Sequence, residues 1–270
     1  MKVLSPAKIN LMLRILGQRE DDYHLLQTYF QLLDWGDLMT FKTTNSSSRI
    51  KINGDFNGLP PEQNLIYKAA QLLFPYNTSN LGIEVTVKKN IPQGSGLGGG
   101  SSNAGTTLNV LNQLWKCHLT TKQLQQFAIE LGADVPIFIL NQSAMATGIG
   151  EELTPYPIKN YYYVLLFPKT SITTADIFTE EKLIRNDKLM PIDDINTQSN
   201  WKNTCLPIVL DKYPEVKSIY QQASLIAPIY MSGTGSTLFS CFENKLNAQR
   251  FIKQCSSKWG ATLCQSKINQ

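Results

Sequence analysis

The sequence contains few histidines and no closely spaced pair of cysteines. Its 270 residues include five Cys and two His, and no C-x-x-C motif occurs. Structural zinc sites are built from Cys and His ligands in closely spaced pairs. The composition therefore argues against a zinc site, and the scattered cysteines indicate reduced, buried thiols in a cytoplasmic protein.

Charged residues and long apolar runs are also scarce. Charged residues make up 17% and hydrophobic residues 42%, and Lys plus Arg exceed Asp plus Glu by 25 to 21. This balance excludes a disordered chain, and no run of basic residues is longer than two, so no nucleic-acid surface is indicated. No stretch approaches the roughly 18 apolar residues of a membrane helix, and the first residues do not resemble a signal peptide. We expect a globular, cytoplasmic protein without membrane or nucleic-acid partners, and both a monomer and a weak homodimer remain open.

Periodic patterns predict a mixture of strands and helices. In the strand predicted over 8–16, apolar residues alternate with a polar face that carries Lys8, Asn10 and Arg14. Further strands are predicted over 37–41, 50–52, 83–87 and 161–167 and near Ala261, and helices near Asn64, from Ser101, over 121–131 and from about Asn244. The stretch 185–204, rich in Asn and Asp, predicts a surface excursion. We place a lobe boundary near Gly150.

Glycines are concentrated just before the helix predicted from Ser101. Positions 94, 96, 98, 99 and 100 are all glycine. Glycine lets the backbone approach a phosphate closely, and the free amides and positive end of a helix favour its charge. A tight turn needs only one or two glycines, so this loop predicts phosphate binding. Ser101 or Ser102 is expected to cap the helix.

Three familiar phosphate motifs do not account for this loop. The Walker A motif needs a Lys after its last glycine, but Ser101 follows Gly100. The dinucleotide pattern G-x-G-x-x-G is present, yet it requires an acidic residue about 20 positions later, and residues 101–129 contain neither Asp nor Glu. The H-R-D and D-F-G tripeptides of protein kinases are absent from the sequence.

Three segments resemble the motifs of the GHMP kinases, which phosphorylate small-molecule alcohols with ATP. They are residues 5–11 (SPAKINL), 92–104 (PQGSGLGGGSSNA) and 231–239 (MSGTGSTLF), in the order that the family has them. The resemblance implies an α+β fold of two lobes with the site in the cleft between them. It implies a ribosomal-protein-S5-like, nucleotide-binding lobe over 1–150 and a ferredoxin-like lobe over 151–270.

Two more segments narrow the resemblance to one branch of the family. Residues 17–24 (GQREDDYH) and 131–138 (LGADVPIF) are similar to the branch that phosphorylates the 2-hydroxyl of a cytidine-diphosphate-linked methylerythritol. That reaction yields the 2-phosphate and ADP in the non-mevalonate route to isoprenoid precursors. Asp22 and Ser95 stand where the branch usually has glycine. We expect Asp22 to alter the turn that presents Tyr23, and Ser95 to add a hydroxyl near the phosphate.

The resemblance also implies roles for individual residues. Asp134 is the candidate general base for the acceptor hydroxyl, and Lys8 beside it would keep the carboxylate ionised and position the hydroxyl. Tyr23 and Phe178 would stack on cytosine. The residues implied to bind ATP are Asn64, Pro92, Gly94, Ser95, Gly96, Leu97, Gly98, Gly99, Gly100, Ser101 and Ser102. The residues implied to bind the substrate are Asn10, Tyr23, His24, Thr174 and Phe178, and Gly233, Thr234 and Gly235 would support the phosphate loop.

Several of these assignments have a structural or functional alternative. The structural alternative for Asp134 is an Asx turn before the following proline. For Asn64 it is a helix cap, and for Phe178 it is packing in the hydrophobic core. Mg²⁺ is expected to arrive with ATP; Ser101 or Ser102 could contact it, and no protein ligands are assigned. The alternatives to the implied activity are a GHMP kinase of the homoserine or mevalonate type and a nucleotide-binding regulator without catalysis.

Overall fold

The computed structural model describes residues 1–46, 49–56, 58–255 and 257–267, which form two compact units. The first unit comprises Met1–Ala7, Trp35–Ile91 and Gly98–Asn141. The second comprises Lys8–Asp34, Pro92–Leu97 and the described residues from Gln142 onward. The lobe boundary near Gly150 stays a prediction.

The described residues contain ten strands and eight α-helices. The strands are β1 (Lys2–Gln18), β2 (His24–Thr44), β3 (Ile50–Asn53), β4 (Gly82–Lys88), β5 (Ala144–Thr147), β6 (Glu152–Pro155), β7 (Tyr162–Phe167), β8 (Tyr230–Met231), β9 (Leu238–Phe242) and β10 (Gly260–Gln265). The helices are α1 (Leu65–Leu73), α2 (Gly99–Leu114), α3 (Thr121–Leu131), α4 (Pro136–Leu140), α5 (Thr174–Phe178), α6 (Leu206–Lys212), α7 (Pro214–Ser224) and α8 (Lys245–Cys255). Within this part of the chain, no helix combines the length and apolarity needed to cross a bilayer.

In the first unit, β4 lies between two neighbours. It runs antiparallel to the 38–44 part of β2 and parallel to β3. Its Ile83 and Val85 are fully buried while Thr86 and Lys88 are exposed, because successive side chains of a strand point to opposite faces. The buried face packs with apolar residues of α1, α2 and α3 and with the fully buried Trp115, which follows α2.

Helix α1 shows why these helices form where they do. Its buried residues are Ile66, Ala69, Ala70 and Leu73, the spacing that places side chains on one helical face. Helix α3 begins after Thr120 with a capping box, in which Thr120 and Gln123 bond each other's backbone amides, and it ends at Gly132. The prediction of a helix over 121–131 is confirmed.

In the second unit, β7 is flanked by β9 and β10 in an antiparallel sheet whose order is β10-β7-β9-β8. The buried residues of β7 include Val164 and Leu166, which belong to a core that also contains residues of α6, α7 and α8. The first part of β2 pairs with β5, and β5 pairs with β6.

Both N-terminal strands are longer than the sequence predicted. The expected strands over 8–16 and 37–41 are parts of β1 and β2, which pair with each other. The polar face of β1 is inside the protein, since Lys8 and Asn10 are each only 3% exposed. In β2, residues 27–33 are all buried, and their sequence lacks the alternation of apolar and polar residues that predicts a strand.

The stretch 185–204 matches its prediction only in part. It contains no α-helix or β-strand but two 3₁₀ turns, at Ile192–Asn196 and Gln198–Asn200. Many of its polar residues are exposed, whereas Ile195 and Trp201 are buried. Those two apolar side chains hold the excursion against the protein.

All five cysteines are free in the structure, and all but Cys241 are buried. Burial raises the pKa of the Cys205 and Cys241 thiols to about 12. Such thiols stay protonated at neutral pH and are poor nucleophiles. The prediction of reduced, buried thiols is therefore confirmed except for the partial exposure of Cys241.

Candidate active site

The glycine loop leads directly into α2. The helix begins at Gly99, and its N-cap is Gly98, which has φ 71° and ψ 26° in the left-handed region. The expectation that Ser101 or Ser102 caps the helix is wrong. Because glycine adopts the left-handed turn easily, the helix starts earlier, and Ser102 is buried with its Oγ donating to the Pro6 carbonyl at 2.6 Å.

This helix start suits an anion. No N-cap side chain bonds its first-turn amides, and the positive end of the helix dipole lies there. The Ser102 hydroxyl also lies 2.7 Å from Ser5 Oγ, so it is engaged inside the protein. Ser101 is half-buried. Of the two serines considered for a contact with Mg²⁺, Ser102 therefore has its hydroxyl engaged within the protein.

A lysine that the sequence analysis did not select lies beside the same helix start. Lys89 Nζ is 3.4 Å from the position that a Cβ would take at Gly99. It donates to Asn103 Oδ1 at 3.0 Å and to the buried carboxylate of Asp37. Asp37 also accepts from the backbone amides of Asn90 and Ile91. The Walker A motif has its lysine after the last glycine of the loop. Lys89 precedes the loop, so that motif does not identify it.

The first half of the loop, Pro92–Leu97, packs on the turn at 232–237. A Cβ at Gly96 would lie 2.5 Å from the Ser232 carbonyl oxygen and 2.7 Å from that of Gly235, so only glycine fits there. Ser232 Oγ donates to the Gly96 carbonyl at 2.9 Å, and the Thr237 amide donates to the Ser95 carbonyl at 3.2 Å. The segment that contains Gly233, Thr234 and Gly235 therefore lies against the loop.

The Ser95 hydroxyl is used within the loop itself. Ser95 Oγ donates to the Pro92 carbonyl at 2.6 Å, and the residue is buried. Gly94, one residue earlier, has φ 64°. The serine that replaces a common glycine therefore adds a hydrogen bond that closes the turn from Pro92 to Ser95.

Lys8 is brought to the loop by β1. Its backbone amide donates to the Leu97 carbonyl at 3.1 Å, and its Nζ lies 3.7 Å from the position of a Cβ at Gly233. Nζ donates to Asn10 Oδ1 at 2.7 Å and lies 5.2 Å from the centre of the Phe30 ring. The second unit thus holds a buried ammonium group beside the first half of the glycine loop.

Tyr23, His24 and Phe178 lie in the second unit as well. Tyr23 is 57% exposed and follows Asp22, which has φ 65°. His24, the first residue of β2, is 6% exposed, and its ring centre lies 4.7 Å from that of Phe178 with the planes tilted by 39°. Thr174 is exposed at the start of α5, with its Oγ1 3.5 Å from Thr234 Oγ1. The exposed Tyr23 ring and the adjoining rings of His24 and Phe178 are groups that can stack on a nucleobase.

Arg185 completes this group and was not found from the sequence. Its Nε donates to His24 Nε2 at 3.0 Å, and its Nη2 donates to the carbonyls of Phe178 and Glu180. Burial, and next the Arg185 charge, lower the pKa of His24, while the Asp22 carboxylate acts in the opposite direction. His24 is therefore held as a neutral imidazole. Arg185 is 161 residues away along the chain, and no local pattern marks it as a partner of His24.

Asn64 and Asp134 lie in the first unit. Asn64 Oδ1 accepts from the Ile66 amide at 2.9 Å and caps α1, so the structural alternative for this residue is realised. Asp134 is half-buried in the turn between α3 and α4, where the Val135 amide donates to the Gly132 carbonyl. Among the described residues, no group of three or more His, Cys, Asp or Glu side chains is arranged to hold a metal ion.

Comparison with known proteins gives a consistent result. Residues 64–142 match the family model described as the GHMP kinases N terminal domain. The chain is 43% identical over 266 residues to the 4-diphosphocytidyl-2-C-methyl-D-erythritol kinase of Psychromonas ingrahamii, covering 98% of this chain and 92% of that protein. It is also 43% identical over 246 residues to the enzyme of the same name from Pseudomonas fluorescens, covering 91% and 86%.

Solved structures agree with these relatives. A crystal structure of 4-(cytidine 5'-diphospho)-2C-methyl-D-erythritol kinase superposes with a TM-score of 0.86 at 28% identity, covering 99% of this chain and all of that one. A mevalonate kinase superposes with a TM-score of 0.71 at 13% identity, covering all of both chains. The second likeness is one of fold alone.

Proposed function

This chain belongs to the family of the 4-diphosphocytidyl-2-C-methyl-D-erythritol kinases and has the α+β fold of the GHMP kinases, and we propose that it phosphorylates 4-diphosphocytidyl-2-C-methyl-D-erythritol. In this reaction the γ-phosphoryl group of ATP passes to the 2-hydroxyl of the substrate, giving the 2-phosphate and ADP. One observation carries the proposal beyond family membership. The buried ammonium of Lys8 lies beside the glycine loop and is oriented by Asn10, and a positioned positive charge can stabilise the transition state of phosphoryl transfer.

ATP binds through its phosphates at the glycine loop. The loop amides and the start of α2 attract the negative charge, and Gly100 leaves the backbone open to close approach. The Lys89 ammonium lies beside Gly99 and is paired with the Asp37 carboxylate. Mg²⁺ arrives bound to ATP and is part of that substrate. Asn64, whose side chain caps α1, is proposed to lie near the adenine.

Asp134 acts as the general base. Its carboxylate takes the proton of the acceptor hydroxyl as that oxygen attacks the γ-phosphorus. A bond forms between the phosphorus and the acceptor oxygen, and the bond between the phosphorus and the ADP oxygen breaks. Lys8 stabilises the negative charge that develops in this step. Asn10 keeps the Lys8 ammonium in place through the 2.7 Å hydrogen bond to its Oδ1.

The cytidyl end of the substrate binds at Tyr23, His24 and Phe178. The exposed Tyr23 ring and the Phe178 ring offer stacking faces, and the His24 ring offers a hydrogen bond to the edge of the base. Thr174 is proposed to contact the methylerythritol part. These groups favour a cytidyl substrate over homoserine or mevalonate, which have no aromatic ring to stack.

A comparison of acceptors tests the proposal. ADP release is measured with Mg-ATP and equal concentrations of the cytidyl substrate, homoserine or mevalonate, alongside a reaction without acceptor. We expect turnover with the cytidyl substrate alone. Turnover with either other alcohol contradicts the substrate assignment, and ATP binding without turnover on any acceptor supports a regulator instead. The lobes 1–150 and 151–270, the cytoplasmic location and the oligomeric state stay predictions.

A further inference from the structure

We propose that Arg185 is a positioning residue that holds His24 in the neutral tautomer with its proton on Nδ1, so that His24 donates a hydrogen bond to the edge of the substrate's base. The identity of that base rests on the proposed function. The tautomer does not, because it follows from contacts within the second unit.

The direction of one hydrogen bond identifies the tautomer. A guanidinium group donates hydrogen bonds and accepts none, whereas a neutral imidazole has one donor and one acceptor nitrogen. Arg185 Nε donates to His24 Nε2 at 3.0 Å, so Nε2 is the acceptor. The proton of the neutral ring is then on Nδ1.

The charges around His24 keep the ring neutral. Burial lowers its pKa most, the Arg185 guanidinium lowers it further, and the Asp22 carboxylate raises it by less. The ring that adjoins it, Phe178, is uncharged. Protonation at Nε2 would place two donors against each other, so Arg185 opposes it by geometry as well as by charge.

Arg185 also joins His24 to the segment that carries Phe178. Its Nη1 donates to the Leu183 carbonyl at 3.2 Å, and its Nη2 donates to the carbonyls of Phe178 at 2.8 Å and Glu180 at 2.9 Å. Three carbonyls thus accept hydrogen bonds from Nη1 and Nη2 of the guanidinium group, and its Nε donates to His24. One side chain therefore bonds the His24 ring and the backbone of the segment that carries Phe178.

A donor at Nδ1 has a consequence for the choice of base. The pairing edge of cytosine carries acceptors at O2 and N3, whereas N3 of uracil carries a proton. An Nδ1 donor that faces N3 forms a hydrogen bond with cytosine and is opposed by the N3 proton of uracil, whereas O2 is an acceptor in both bases. We expect wild type to prefer the cytidyl substrate over its uridyl analogue, and this preference to narrow when Arg185 is replaced.

Nitrogen-15 NMR tests the tautomer directly. His24 and His118 are the two histidines of the sequence, so His118→Gln leaves one ring to observe in protein labelled at histidine. We expect a protonated Nδ1 and an unprotonated Nε2 in wild type at pH 7.5. In Arg185→Met we expect a mixture of tautomers and a higher pKa of His24. A proton on Nε2 in wild type, or the same spectrum and pKa in the variant, overturns the proposal.

Steady-state kinetics test the link to the substrate. Arg185→Met is expected to raise KM for the cytidyl substrate about tenfold, with kcat and KM for ATP nearly unchanged. Arg185→Lys should recover only part of the loss, because an ammonium lacks the guanidinium's fork of donors. Arg250→Met, an exposed arginine on α8, is the matched control and should leave all three constants unchanged.

A double-mutant cycle separates this role from a general effect on the 178–185 segment. His24→Asn keeps an amide donor close to the position of Nδ1 and removes Nε2. If Arg185 acts through His24, Arg185→Met changes KM by less than about twofold in the His24→Asn background. Fully additive effects show that Arg185 only supports the segment and overturn the proposal. If wild type does not use the cytidyl substrate, the proposed function fails, while the NMR result still decides the tautomer.

Discussion

Lys8 Nζ donates to Oδ1 of Asn10, two residues along the same strand face, at 2.7 Å. Asn10 is itself held, because its Nδ2 donates to Thr28 Oγ1 at 2.8 Å and its backbone amide donates to Ser232 Oγ at 3.2 Å. An ammonium group loses solvation when it is buried and is kept only where it has partners. This pair therefore gives Lys8 a defined position beside the glycine loop.

Removal of the Lys8 charge should abolish most of the chemistry. Lys8→Met keeps the apolar stem but removes the ammonium, so we expect kcat to fall at least about 100-fold with ATP binding retained. Single-turnover measurements of ADP formation check the rate. Lys51→Met, at an exposed lysine that pairs with Glu84, is the control and should behave as wild type. A kcat within about threefold of wild type in Lys8→Met would remove Lys8 from the mechanism.

Asp134→Asn tests the general base. The amide has the size of the carboxylate but cannot take a proton, so kcat should fall at least about 100-fold while the affinity for ATP stays the same. ADP release and nucleotide titration measure the two quantities. Glu130→Gln, a similar change on α3, is the matched control. A near-normal rate in Asp134→Asn would show that the residue only shapes the turn before Pro136.

Gly96 and Gly100 should respond differently to alanine. At Gly96, φ is 75° and a Cβ would overlap two backbone carbonyls of the 232–237 turn. We expect Gly96→Ala to lower the free energy of unfolding by more than about 2 kcal/mol and to abolish ATP binding. At Gly100, a Cβ would meet only Leu65 Cδ1 at 3.7 Å, so the fold should tolerate alanine.

The affinity of Gly100→Ala for ATP then shows whether an ATP phosphate lies close to the backbone at this residue. If the backbone approaches the phosphate at Gly100, the added methyl weakens ATP binding without loss of stability. Urea unfolding and nucleotide titration of both variants provide the measurements. Wild-type affinity in Gly100→Ala would show that the phosphate does not come close at this residue.

Asp187 should make stability depend on pH in the acid range. Burial alone would raise the pKa of its carboxyl, but hydrogen bonds from Lys202 and Thr204 outweigh it and bring the pKa below its ordinary value of 3.8. The ionised carboxylate therefore stabilises the folded state above pH 3.8, and this contribution is lost as the pH falls through and below that value.

Asp187→Asn should accordingly lower the free energy of unfolding by about 1–3 kcal/mol at pH 7, and by progressively less below pH 4. Urea unfolding of both proteins at pH 7, 5 and 3 measures the difference. Asp211→Asn removes a carboxylate from an exposed pair with Lys182 and should have little effect at any pH. A penalty for Asp187→Asn that does not change with pH would contradict the linkage.

Asp22→Gly should stabilise the protein. Asp22 has φ 65°, a conformation that glycine adopts without a steric penalty. We expect the free energy of unfolding to rise by about 0.5 kcal/mol, because part of the gain is offset by the greater freedom of glycine in the unfolded chain. Glu20→Gly, two residues away and not at positive φ, should be neutral or destabilising. Equal effects of the two changes in urea unfolding would exclude strain at Asp22.

The sequence was most informative where structure follows from local pattern. Helix α3 begins and ends at the predicted residues, because Thr120 directly before it is the N-cap and Gly132 directly after it ends the helix. The alternation in β4 likewise identified its buried face. The full extent of β2 was not predictable in this way, since residues 27–33 are all buried and their sequence does not alternate.

The candidate site shows the same division. The glycine loop and the segment at 231–239 were recognisable as motifs, and the structure places them against each other. Lys89 and Arg185 were missed because their partners lie far away in sequence or outside any motif: Lys89 bonds Asp37, 52 residues earlier, and Arg185 bonds His24. The start of α2 was also missed, because Gly98 turns into the helix without a capping side chain.

The contact between Ser232 and the Gly96 carbonyl has a consequence for synthesis of the protein. The two residues are 136 positions apart, and the Thr237 amide bonds the loop at Ser95 in the same way. On the ribosome, the loop leaves the exit tunnel long before the turn that supports it. A nascent chain that has not yet reached residue 237 lacks these contacts, so the first half of the loop gains this packing only late in translation.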